Sequence, residues 1–84
     1  MVAVTTLGEV PVRSRVVLDT PHLEAAQTRR LAELGLRAGS EVTVLHRTAG
    51  GGRVIAVDDI RIAVDRGTLR GLPVRPSPPE GPRA

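Results

Sequence analysis

Apolar residues come in short bursts separated by glycine, proline and charged residues. Residues 10–18 (VPVRSRVVL) alternate loosely and then run apolar, with Val12, Ser14 and Val16 on one face and Val10 and Leu18 extending it. The pattern predicts a first strand, with Pro11 near its start, where a missing N–H is tolerated. Leu7 precedes it and is expected to pack underneath. Asp19-Thr20-Pro21 predicts a helix start, because Asp or Thr can cap and Pro suits the first helical position. The helix is expected over residues 21–34, with Leu23, Leu31 and Leu34 on one stripe. Gln27 and Arg30 interrupt that stripe, so the helix bends or splits, or Arg30 lays its stem along the core. Gly35 suits the left-handed residue that ends a helix, and Leu36 the apolar contact that follows. Ala38-Gly39 then suits a tight turn with positive φ at Gly39.

The second half reads as strands. EVTVLHR (residues 41–47) puts Val42, Val44 and His46 on one face and Thr43, Leu45 and Arg47 on the other. Gly50-Gly51-Gly52 marks a flexible loop. RVIAV (53–57), a two-residue turn at Asp58-Asp59 and IRIAVD (60–65) predict a hairpin, with Ile60, Ile62 and Val64 facing inward. Residues 66–70 predict a turn or single helical turn, and residues 71–74 a last short strand. One strand, a helix, then several strands of five to seven residues suggest a small barrel, SH3-like or OB-like, which removes exposed edges. The last ten residues, RPSPPEGPRA, hold four prolines and no large apolar side chain. The expected organisation is one folded domain over residues 1–74 and a flexible Pro-rich tail over 75–84.

Composition narrows the chemistry. The 84 residues contain no Cys, which excludes disulfides, thiolate metal sites and a Cys nucleophile. They contain no Phe, Trp or Tyr, so the core must be aliphatic. All twelve basic residues are Arg, yet the formal net charge is only +3. The isoelectric point of about 11.3 reflects the absence of any group titrating between His and Arg, not a large charge. Nothing resembles a signal peptide or a membrane-spanning run, so the expected location is the cytoplasm.

The stretch RRLAELGLRAGSEVTVL (29–45) resembles the FeoA family, ferrous iron transport protein A: a basic, Leu-bearing helix end, an "LGL" stop, a turn and a "V-x-V" strand. RVIAVDDIRIAVDRGTLRGLPV (53–74) resembles that family's hairpin and short last strand, with Ile62-Ala63-Val64 in place of an "IAL" segment. TLGEV (6–10) resembles its opening. The likeness covers about residues 5–74. Three positions depart from it. Ala38 stands where Pro is common, Asp59 where Gly is common at the hairpin turn, and Val12-Arg13 where "PG" is usual before the first strand. The resemblance implies a mainly β, SH3-like barrel of about five strands with a helical insertion between the first two. It also implies a cytosolic accessory protein of iron homeostasis, whose partner is a FeoB-type membrane GTPase transporter and which meets the membrane only through that partner.

No catalytic constellation is expected. Ser14 and Ser40 read as strand and turn residues, and no base stands at a fixed spacing from either. The chain is not expected to be an enzyme or to carry a cofactor. His22 and His46 lack a second ligand at metal-binding spacing, and Asp58-Asp59 reads as a solvated turn, so no metal site is assigned. The glycine run lacks the Lys-Ser/Thr that would make it a phosphate loop. Nucleic-acid binding is the alternative for a small Arg-bearing barrel, but there is no aromatic side chain to stack a base and no helix-turn-helix, so it is not expected. A stand-alone module like the SH3-like domain of iron-dependent repressors is the other alternative. Partner binding remains, and Arg29, Arg30, Leu34, Gly35, Leu36 and Arg37 form the candidate contact corner.

Overall fold

The computed structural model describes residues 5–77. Six strands form one antiparallel sheet: β1 (Thr5–Thr6), β2 (Arg15–Leu18), β3 (Glu41–Arg47), β4 (Arg53–Val57), β5 (Ile60–Val64) and β6 (Pro73–Pro76). Their spatial order is β1-β6-β2-β3-β4-β5. Helix α1 (Ala25–Glu33) joins β2 to β3, and the single turn α2 (Arg66–Leu69) joins β5 to β6. This is the expected mainly β, SH3-like arrangement. The two-residue β1 makes the strand count six and places the helical insertion after the second strand.

The core is wholly aliphatic. Leu7, Leu18, Leu36, Val42, Val44, Ile55, Leu69 and Leu72 are almost fully enclosed. Alternation accounts for most of this: Val42 and Val44 on β3 face Val57 and Ile55 on β4, which face Ile60 and Ile62 on β5. Ile60, expected inside, is 45% exposed because it closes the hairpin at the rim, beyond the last core layer. The Asp58-Asp59 turn forms as expected, with Asp58 at φ +54°.

Five further expectations shift. The strand expected over 10–18 begins only at Arg15. Residues 11–14 form a turn closed by Ser14 N–H donating to the Pro11 carbonyl at 3.1 Å, which leaves Val12 exposed. The helix begins at Ala25, not residue 21, and Asp19 and Thr20 do not cap it. The amides of Asp19 and His22 donate instead to the carbonyls of Pro73 and Gly71, at 2.8 and 2.7 Å, and hold the lead-in extended. A Cβ on Gly71 would come within 2.4 Å of Leu23 Cδ2 and 2.7 Å of the His22 carbonyl, so that close approach needs glycine. His46 does not share the core face of Val42 and Val44. A β-bulge at Leu45 turns the strand and leaves His46 exposed opposite Val54. The glycine loop forms a defined turn over residues 49–51, with Gly50 at φ +78° and Gly51 at φ +87°, closed by Thr48 N–H donating to the Gly52 carbonyl at 2.9 Å. The last strand runs to Pro76, two residues beyond the expected end of the folded part, and pairs with β2 there. The rest of the expected tail, residues 78–84, lies outside the described residues.

Candidate functional site: the helix-end corner

The candidate corner is built by one local motif. At the end of α1, Leu36 N–H donates to the Leu31 carbonyl at 2.9 Å and Gly35 N–H to the Ala32 carbonyl at 2.9 Å. Gly35 sits at φ +102°. This is a Schellman stop, and it satisfies carbonyls that would otherwise be orphaned. It sends Leu36 inward, where it is 1% exposed, and leaves Leu34 outside at 41%. A turn follows, with Ser40 N–H donating to the Arg37 carbonyl at 2.9 Å and Gly39 at φ +91°. The Ser40 hydroxyl locks stop and turn together: it accepts from Arg37 N–H at 3.0 Å and donates to the Gly35 carbonyl at 2.9 Å.

Arg29 and Arg30 on α1, Leu34 at its end and Arg37 after the Gly35 stop are all exposed. Leu36 is a core residue and offers no surface to a partner. The helix beneath is lightly anchored. None of its residues is fully buried, and Leu31, helped by Leu23 from the lead-in, holds it on the barrel. Arg30 is exposed. Among the described residues no ion pair ties Arg29, Arg30 or Arg37.

Other candidate chemistry does not assemble. His22 and His46 are exposed on different elements, and among the described residues no three His, Asp or Glu side chains converge as metal ligands. At the start of α2 the Thr68 hydroxyl donates to the Asp65 carboxylate and holds that carboxyl below the usual carboxylate range. No described helix is long and apolar enough to cross a membrane.

Sequence reasoning missed Arg53. It is 8% exposed, and its guanidinium donates to the Val10 carbonyl, on a loop 43 residues earlier. No local signal marks an arginine whose partner is a backbone carbonyl that far away. Its place on β4, at the end of an otherwise apolar core face, is the nearest clue.

Comparison with known proteins agrees with this architecture. The chain is similar to the FeoA protein of Chlorobium tepidum at 23% identity and a TM-score of 0.82, over 92% of this chain and 74% of that one. It is similar to the zinc-complexed FeoA of Stenotrophomonas maltophilia, a prokaryotic SH3 domain protein, at 29% identity and a TM-score of 0.69, over 83% and 88% of the two chains. It also matches a manganese-dependent transcriptional repressor at 18% identity and a TM-score of 0.77, over 92% of this chain but 44% of that one. No curated protein matches it. The FeoA domain family matches residues 5–76. The chain belongs to the FeoA family, and that membership ties it to ferrous iron transport.

Proposed function

We propose that this chain is a non-enzymatic, cytosolic regulator of ferrous iron uptake that binds the cytoplasmic part of a FeoB-type membrane GTPase transporter. The observation that carries the reading is the family match across residues 5–76. An activating role in bacterial ferrous iron transport has been suggested for the Stenotrophomonas maltophilia relative. The exposed corner supports it as well. Arg29, Arg30 and Arg37 around Leu34 combine cationic groups with an apolar centre on a rigid stop, the composition that concentrates binding energy at interfaces. Binding regulates only if one state of the transporter is preferred over another.

The test is binding of the full chain to the purified transporter encoded by the same genome, with GTP analogue, GDP or no nucleotide. Saturable binding that differs between nucleotide states is expected. Absence of binding in all three states, with the chain folded, overturns the proposal. A second reading rests on the repressor match, in which an equivalent barrel makes up part of a longer chain. It predicts binding to repressor fragments instead.

A further inference from the structure

We propose that the free edge of β5 pairs antiparallel with β5 of a second copy of this chain, in the register that sets Arg61 opposite Asp65 of the partner subunit. The sheet ends on β1 at one side and on β5 at the other. β1 is two residues long, and the strand beside it begins and ends on proline, so that edge is blunted. β5 has five residues, no proline, and unbroken register with β4 from Ile60 to Val64. Among the described residues it pairs with β4 alone, and Arg61 and Ala63 are exposed. The charge on Arg61 is the one feature of this strand that resists pairing, and its effect depends on what lies opposite it.

The backbone of β5 offers a defined set of groups. Val57 and Ile60 flank a two-residue turn, which makes them a hydrogen-bonded pair. Alternation along the ladder then makes Ile55 with Ile62, and Arg53 with Val64, hydrogen-bonded pairs as well. The N–H and C=O groups of Arg61 and Ala63 therefore point away from β4, to the free edge. Antiparallel pairing through those groups requires odd-numbered residues to meet odd-numbered residues. One such register sets Ala63 opposite its own copy on a two-fold axis, and Arg61 opposite Asp65 of the partner subunit at both ends. Ile62 then meets the partner's Val64, so the inward face stays apolar across the junction.

Charge selects that register. The next one sets Arg61 opposite the partner's Ala63 and loses both charge pairs. The one after sets Arg61 opposite the partner's Arg61, and like charges directly across a ladder are destabilising. Among the described residues neither Arg61 nor Asp65 belongs to an ion pair. The Thr68 hydroxyl donates to one Asp65 oxygen and keeps the carboxyl ionised. Arg66, the neighbouring cation, lays its stem over Gly51, where an added Cβ would lie 3.0 Å from Arg66 Cδ. A depression of about 300 Å³, bordered by Ala63, Asp65 and the glycine loop, leaves room beside the carboxylate for an incoming guanidinium. Strands this short bury less than the about 1,200 Å² of a stable complex, so the dimer is weak, with a dissociation constant of about 0.1–1 mM. At lower concentrations the chain is monomeric, and the inference does not depend on the transporter reading.

The experiment is a concentration series of the full chain, from about 0.02 to about 2 mM, followed by two-dimensional amide NMR and by sedimentation. Amide shifts that grow with concentration and centre on residues 60–65 are expected, with an average mass rising toward that of a dimer. Arg61→Glu sets like charges opposite each other and is expected to weaken association at least about tenfold. Asp65→Arg does the same from the other side. In an equal mixture of the two variants each replaced side chain meets a charge of opposite sign, so association is expected to return to within about threefold of wild type. Asp65 also holds the start of α2, so the amide spectrum checks the fold of each chain, and Arg61→Glu alone decides if Asp65→Arg unfolds. A wild-type mass that stays monomeric to the top of the series overturns the proposal. So do shifts confined to residues outside 59–66, an Arg61→Glu chain that associates like wild type, or a mixture of two folded variants that stays monomeric.

Discussion

Two turns of like design, residues 37–40 and 11–14, carry the two arginine-bearing corners of the molecule. Each is closed by an N–H of the fourth residue donating to the carbonyl of the first, and each needs positive φ at its third residue. In the first, the third residue is Gly39, at no steric cost. In the second it is Arg13, which accepts an unfavourable backbone. The helix-end turn is matched to its geometry, reinforced by Ser40, and displays its arginines from positions that cost nothing. The strand-entry turn is mismatched, and its arginine is itself the strained residue. Local sequence and local structure agree in one corner and conflict in the other, and conflict of this kind concentrates where a side chain is needed for something besides folding.

Substitutions sharpen the contrast. The largest effect is expected from Gly35→Ala combined with Gly39→Ala, which forces two L side chains into left-handed backbone and should lower stability by about 2–3 kcal/mol. Denaturant unfolding measures this, and an unchanged midpoint would remove the matched-turn account. Ser40→Ala deletes both hydrogen bonds that join stop to turn and should cost about 1–2 kcal/mol, with hydrogen exchange accelerating at Arg37 and at the end of α1. Arg13→Gly should move the other way. Relief of left-handed strain, partly offset by the greater freedom of glycine in the unfolded chain, leaves a gain of about 0.5 kcal/mol. A loss there would mean that Arg13 contributes packing that outweighs its strain. Arg13→Ala keeps the strain and should change stability least, by about 0.3 kcal/mol or less; thermal melts of the two variants side by side isolate the backbone term.

The same division governs how much could be read from the sequence. The helix stop was legible because its signals, Gly35, Leu36, Gly39 and Ser40, act on residues within five positions of one another. The helix start was not, because the amides of Asp19 and His22 are claimed by carbonyls some fifty residues later. Alternation located Val42, Val44, Ile55 and Ile62, but it misplaced His46 beyond the bulge and Ile60 at the rim. Of the candidate corner, Arg29, Arg30, Leu34 and Arg37 reach the surface, while Leu36 serves the core through the very motif that identified it. The departure at Val12-Arg13 was visible in the sequence. Its meaning needed the backbone angle, which showed that the turn keeps the shape glycine favours even though glycine is missing.

The central claim, that the helix-end corner meets the transporter, is tested most directly by measuring the affinity of the transporter's cytoplasmic part for three chains: wild type, Arg30→Glu and Arg61→Glu. Both variants make the same charge change from the same net charge of +3, one at the corner and one on exposed β5. The account predicts that Arg30→Glu weakens binding by about thirtyfold or more, as expected for loss of an interface hot spot, while Arg61→Glu binds within about twofold of wild type. Equal losses for both, or no loss for Arg30→Glu, would contradict it.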